Sequence, residues 1–185
     1  MIDWKEIWKI HSPYYKNGKF ILELPNGEKV FFEPGAAFGD GSHPTTNLIL
    51  DNLPDLVKGK TVVDVGSGSG VLSLAASKLG ANEVFALEID LLSISAMEVN
   101  IELNGITNVH MNKEPEDFDM VLINMISSEQ RVAFAAYPYL IKRGIDFLIS
   151  GILNEEREET LKVLNPSKVY RTATSGDWAF IHCQI

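Results

Sequence analysis

From Lys60 to the end of the chain, short apolar runs alternate with stretches of helical spacing, and this alternation restricts the fold more than any other feature. Residues 61–65 (Thr-Val-Val-Asp-Val) predict a buried strand, and glycines lead from it into a helix over 71–79. Gly80-Ala81-Asn82 closes that helix. The same reading gives a strand over 84–89, a helix over 91–103 ending at Asn104-Gly105, and a short strand over 108–111. Strand 119–124, helix 127–140, strand 145–150 and helix 155–163 come next. Segments 168–172 and 178–184 form a closing hairpin around Ser175-Gly176-Asp177. Strands that alternate with helices imply a mostly parallel three-layer α/β sheet. The final strand pair has no helix between its members, so the sheet carries an antiparallel edge strand.

The first part of the chain reads differently. Segments 20–24 and 29–33 bracket Pro25-Asn26-Gly27-Glu28, a hairpin signal, and 45–53 has helical spacing. The 185 residues suit a single domain of ordinary size. One cysteine, Cys183, excludes an internal disulfide or a cysteine-based metal cluster within the chain. No apolar run reaches the ~18 residues of a membrane span, and the start Met1-Ile2-Asp3-Trp4-Lys5-Glu6 lacks the apolar core of a signal peptide. A cytoplasmic protein with no membrane association is expected. The formal net charge of -9 lacks the basic footprint of a general nucleic-acid binder, so no direct nucleic-acid partner is expected. No feature sets the oligomeric state, and a monomer is compatible with the sequence.

The strongest local signal is Asp64-Val65-Gly66-Ser67-Gly68-Ser69-Gly70. Glycines after a strand permit a tight turn and close backbone approach to a ligand at the carboxyl edge of a sheet. At the ~20-residue spacing of a ribose-binding acid stands Glu88, with Asp90 as the competing candidate just beyond. Together these features favour a nucleoside-containing cofactor over a purely structural turn. No Gly-Lys-Ser/Thr stands after the turn, and no Arg or Lys stands near the glycines to meet a pyrophosphate. S-adenosyl-L-methionine, which keeps the adenosine and has no phosphate, suits this arrangement.

The second signal is Phe38-Gly39-Asp40-Gly41-Ser42-His43-Pro44-Thr45-Thr46. With this loop the chain resembles the PrmA-type methyltransferases of ribosomal protein L11, in which a Phe-Gly-x-Gly-x-His-Pro-Thr-Thr loop precedes the cofactor domain. The similarity runs from about Trp4 to the C-terminus. It includes the 63–70 turn, Glu88-Ile89-Asp90, Asn124, Ser150-Gly151-Ile152 and Trp178. The resemblance implies a Rossmann-like class I methyltransferase fold: a mostly parallel seven-stranded sheet with helices on both faces and an antiparallel edge strand. Residues 1–43 would be a linker-like segment with a helix and the hairpin, and 44–185 the S-adenosylmethionine-dependent methyltransferase domain. It implies that Thr45, Gly66, Gly68, Glu88 and Asn124 line the cofactor site, with Asn124 also catalytic. Phe38 either packs in the core or lays its ring face over the sulfonium. Thr45 caps its helix, touches the cofactor, or does both, and His43 is either a base or, the favoured reading, a structural hydrogen-bonding residue in the turn.

The resemblance further implies transfer of a methyl group to an amine, with a ribosomal protein as the partner. The full-length family carries a further N-terminal recognition domain, and this chain begins inside what resembles the linker after it. Asn-Ile-Leu-Ala of the family reads Asn124-Met125-Ile126-Ser127 here. The cofactor half therefore transfers, and the acceptor stays open among a protein amine, a small-molecule amine and no acceptor at all.

Overall fold

The computed structural model describes residues 12–16, 19–33 and 41–185. Strands β1 (Tyr15–Lys16), β2 (Lys19–Glu23) and β3 (Lys29–Phe32) form a small antiparallel sheet. Helix α1 (Pro44–Leu50) leads to the main unit: β4 (Thr61–Val65), α2 (Val71–Lys78), β5 (Glu83–Leu87), α3 (Leu91–Asn104) and β6 (Val109–Met111). The chain continues through β7 (Met120–Asn124), α4 (Ser127–Ala136), β8 (Asp146–Leu153), α5 (Arg157–Leu164), β9 (Lys168–Ser175) and β10 (Trp178–Gln184).

The large sheet has seven strands in the order β6-β5-β4-β7-β8-β10-β9. From β6 to β8 all pairings are parallel. The expected antiparallel edge is the closing hairpin, in which β10 runs against both β8 and the outermost β9. Alternate residues of the central strands feed two cores, as a pleat of period two requires. Val62, Met120, Leu122 and Leu148 join α1, α2, Met97 of α3 and the hairpin on one face. Val63, Val121, Ile123, Phe147 and Ile149 join Ala133 of α4 and Leu164 of α5 on the other. This is the expected three-layer α/β architecture, a mostly parallel seven-stranded sheet with helices on both faces.

The β2–β3 hairpin is fastened to the helices by asparagines. Asn26 donates to the Lys78 carbonyl at 3.0 Å, and Asn104 accepts from Phe31 N–H at 2.9 Å and donates back to its carbonyl. Buried Asn100 accepts from Glu33 N–H and donates to the Ser69 carbonyl, both at 2.9 Å, so one side chain joins the hairpin to the glycine turn.

Several element ends differ from expectation for local reasons. Strand β5 stops at Leu87 because Glu88 N–H turns away to the Asn112 side chain. The helix expected over 127–140 ends at Ala136, since Tyr137 precedes a proline and leaves helical geometry (φ -122°, ψ 64°). Residues 138–140 make only a short 3-10 turn. Strand β8 runs past Ser150 to Leu153, with Gly151 inside it. The next helix starts at Arg157, after a 3-10 turn over Asn154–Glu156 in which the Glu156 carboxylate accepts from Leu153 N–H.

Candidate functional site

The chain leaves β4 for β5 and β6 on one side, then returns to place β7 and β8 on the other. The strand order therefore reverses between β4 and β7, where open α/β sheets leave a crevice beyond their carboxyl ends. The candidate residues converge there.

The glycine turn forms one wall. Gly66 has φ 68°, which favours glycine, and a Cβ on it would lie 2.6 Å from the Met125 sulfur, so that side chain would have to shift. The turn is held down by its neighbours: Gly66 and Ser67 N–H both donate to the Leu87 carbonyl, at 2.8 and 3.2 Å. Gly68 N–H donates to Glu88 Oε2 at 2.8 Å, and Ile89 and Asp90 N–H donate to Oε1 at 2.8 and 2.9 Å. A carboxylate offers about four acceptor sites. Three are taken, which leaves one on Oε2, the oxygen bonded to the turn.

The two acids of this region separate cleanly. Asp90 is the N-cap of α3, accepting from the Ser93 N–H and hydroxyl at 2.8 Å each. The Ser93 hydroxyl bond holds its carboxyl below the usual range. Asp64, a strand residue with no role expected from sequence, lies fully buried beneath the turn. Desolvation pushes its pKa up to about 6, against the lowering effect of the Ser73 hydroxyl that donates to it at 2.6 Å.

The opposite wall is the end of β7. Asn124 pairs with Ser150 of β8, and its side-chain N–H donates to Thr46 Oγ at 3.1 Å. Its Oδ1 is buried and has no hydrogen-bond partner among the described residues. An unpaired buried carbonyl costs ~1–3 kcal/mol, so its presence at a strand end beside the crevice calls for a ligand donor. Beyond it, β8 passes so close that a Cβ on Gly151 (φ 82°) would lie 2.5 Å from the Met125 carbonyl oxygen.

Thr45 does not cap α1. That task falls to His43, whose ring accepts from Thr45 N–H at 3.4 Å, with Thr45 Oγ 2.8 Å from the same ring nitrogen. The ring also packs edge-on to Trp178, with centroids 5.2 Å apart. His43 thus has the structural role expected of it. Buried Thr46, the next residue, is the one that reaches Asn124. Phe38 and the helix expected within 1–43 before the hairpin lie outside the described residues. The structure joins Gly68 to Glu88 directly and sets Gly66 against Met125, the neighbour of Asn124, while Thr45 bonds to His43. Thr46 and Asp64 lie inside the two motifs but were given no role from sequence, and Gln130, a common residue type with no spacing signal of its own, was missed.

Comparison with known proteins gives a consistent result. The family model for ribosomal protein L11 methyltransferase (PrmA) matches residues 3–185. The ribosomal protein L11 methyltransferase of Thermoanaerobacter pseudethanolicus is 37% identical over 196 residues. That match covers 97% of this chain and 64% of the relative, so the chain spans under two thirds of that protein's length. A Prochlorococcus marinus protein of the same name (strain AS9601) is 33% identical, covering 98% and 68% of the two chains. Among solved structures, the ribosomal protein L11 methylase of Lactobacillus delbrueckii subsp. bulgaricus superposes with a TM-score of 0.74 at 28% identity, over 96% of this chain and 91% of that one. A 16S rRNA methyltransferase of T. thermophilus, solved with AdoMet and guanosine, superposes with a TM-score of 0.69 at 20% identity, over 90% and 50%. That second likeness is one of fold.

Proposed function

The chain belongs to the ribosomal protein L11 methyltransferase (PrmA) family, and on that basis we propose that it is an S-adenosylmethionine-dependent methyltransferase whose acceptor is an amine, the lysine side chain or N-terminal amine of a ribosomal protein. The observation that carries this reading is the buried, unpartnered Oδ1 of Asn124 at the end of β7, across from the Gly66 turn. An acceptor atom kept free at that place fits a donor that arrives with the substrate, such as an amine N–H.

The donor set also fits the cofactor. Gly66 and Gly68 offer close backbone approach, and the remaining acceptor site on Glu88 Oε2 suits one ribose hydroxyl. A second hydroxyl would have to displace the N–H of Ile89 or Asp90 from Oε1. In this reading Thr45 and Phe38 complete the cofactor-lining set. Residues 44–185 form the cofactor-binding unit, and 1–43 are linker-like. Bound there, the cofactor supplies a methyl carbon activated by positive sulfur.

The protein's share is alignment and exclusion of water. A lysine amine has a pKa of ~10.4 and must shed its proton to solvent before its lone pair can attack. An apolar setting around the amine would disfavour the ammonium form and assist that loss. Asn124 Oδ1 then accepts an N–H of the neutral amine, which turns the lone pair toward the methyl carbon. A ribosomal acceptor implies a cytoplasmic protein; among the described residues no helix is long and apolar enough to cross a membrane.

The test is transfer of a labelled methyl group from S-adenosylmethionine in a ribosome-containing lysate. Label on an amine of a ribosomal protein supports the proposal. Label confined to small molecules would redirect it to a small-molecule N-methyltransferase, and absence of label with intact cofactor binding to a non-catalytic relative.

A further inference from the structure

Resting on the methyltransferase reading, we propose that Gln130 is a positioning residue that fixes the acceptor wall of the site and so sets the aim of Asn124. Gln130 lies in the first turns of α4 and is 3% exposed, although glutamine seldom enters a core without bonds to use there. Its side-chain amide donates to the Met125 carbonyl at 2.7 Å and to the Ser150 carbonyl at 3.2 Å. Both hydrogens of one NH2 group are thereby spent on the end of β7 and on β8, the two strands that flank the site. Met125 N–H reaches the same Ser150 carbonyl at a longer 3.3 Å, so the amide closes a small network between them.

The network has no substitute among the neighbouring groups described. The N-cap of α4, Ile126, provides no side-chain hydrogen bond. Gly151 lets β8 come within Cβ-excluding distance of the Met125 peptide, so the Met125 carbonyl lies against β8. Without Gln130 the Met125 carbonyl loses that donor, and the Met125–Ile126 peptide that follows the Met125 N–H bond to Ser150 loses its clamp. The Asn124 backbone would keep its pairing with β8, and its side chain would be held by Thr46 alone among the described residues. In the intact site the Met125 carbonyl is occupied by Gln130, while Asn124 Oδ1 keeps no partner among the described residues. Groups that lock a reacting side chain from behind act on turnover far more than on affinity, because sub-ångström misplacement is felt in the transition state.

The experiment uses the whole chain and two variants. Gln130→Met keeps the length and removes both donors; Gln130→Glu keeps the shape and turns an oxygen toward the two carbonyls. Val132→Ala, at an exposed position on the same helix, is the control. Methyl transfer to the ribosomal-protein acceptor should lose kcat by about tenfold or more in both Gln130 variants. The acceptor KM and the cofactor dissociation constant should stay within about twofold. The Asn124 side-chain NH2 resonances, observed by 15N NMR, should move in the Gln130 variants and stay put in Val132→Ala. That readout needs no acceptor, so it tests Gln130 even if the wild-type protein transfers no methyl group, an outcome that would count against the methyltransferase reading alone. Unmoved Asn124 resonances, or a cofactor affinity that falls as far as kcat, would overturn the proposal.

Discussion

The two walls of the site solve the same problem in opposite ways. On the turn side the polar groups find partners within the turn or the end of β5: Gly66, Ser67 and Gly68 N–H are all taken, and Glu88 accepts three backbone bonds. On the acceptor side one carbonyl, Asn124 Oδ1, is left buried and unpaired, while its neighbours are clamped by Thr46 and Gln130. A wall that binds in ground and transition state alike can be self-satisfied and rigid before the ligand arrives. A wall that acts on a reacting nitrogen has to keep an acceptor in reserve.

The greatest loss of stability should come from breaking the packing behind the acceptor wall. Gly151→Ala places a Cβ 2.5 Å from a backbone oxygen, and should cost about 3 kcal/mol in denaturant unfolding. Gly176→Ala, at φ 58° in the β9–β10 turn with nothing within 4 Å, should cost only the left-handed penalty of ~1–2 kcal/mol. Equal losses would mean that β8 yields at Gly151 and that the close approach is not enforced.

Beneath the turn the stored cost is electrostatic. Asp64 has its carboxyl raised by burial from 3.8 to about 6. The folded state therefore holds the proton more tightly than the unfolded chain, and stability from this group is present at low pH and lost as pH rises from about 4 to 6. At 1.36 kcal/mol per pKa unit the loss is on the order of 2–3 kcal/mol. Asp64→Asn, which still accepts from Ser73, should gain roughly that much over the wild type at pH 7 and nothing near pH 4. A gain independent of pH would remove ionisation as the cause.

Asn124→Ala probes the contrast between the walls at the level of chemistry. Turnover should fall about 10–100-fold while cofactor affinity changes less, as for a contact made chiefly in the transition state. Equal loss in both would make Asn124 a binding residue and erase the distinction.

How much of the molecule was readable from residues alone divides along the same line. The turn side is local: strand, glycines, helix and acid succeed one another in a fixed rhythm, so Gly66, Gly68 and Glu88 could be named as neighbours. Strand β5 nevertheless ends at Leu87, before Glu88, and Asp90, read as the competing acid, caps α3. The seven-stranded sheet could be expected because each apolar run is short and separated by helical spacing. The acceptor side is assembled from afar. Thr46, Gln130 and Ser150 meet around Asn124 from three separate elements, and a threonine or glutamine announces nothing in a linear pattern. Gly151 looked like the end of a strand, whereas β8 uses it to pass Met125 and continue. The cap of α1 was missed for a similar reason: a histidine ring takes the place that threonine commonly fills.

Whether the glycine turn holds S-adenosylmethionine decides everything else, and isothermal titration answers it without a methyl acceptor. S-adenosylmethionine and its demethylated product should both bind with a micromolar dissociation constant, about -8 kcal/mol. Glu88→Ala should weaken that binding by about 1.5–3 kcal/mol, since it removes a charged acceptor, and Asp90→Ala should weaken it less, because Asp90 is spent on capping α3. No heat from either compound at millimolar concentration with the wild-type protein would contradict a cofactor site at this turn.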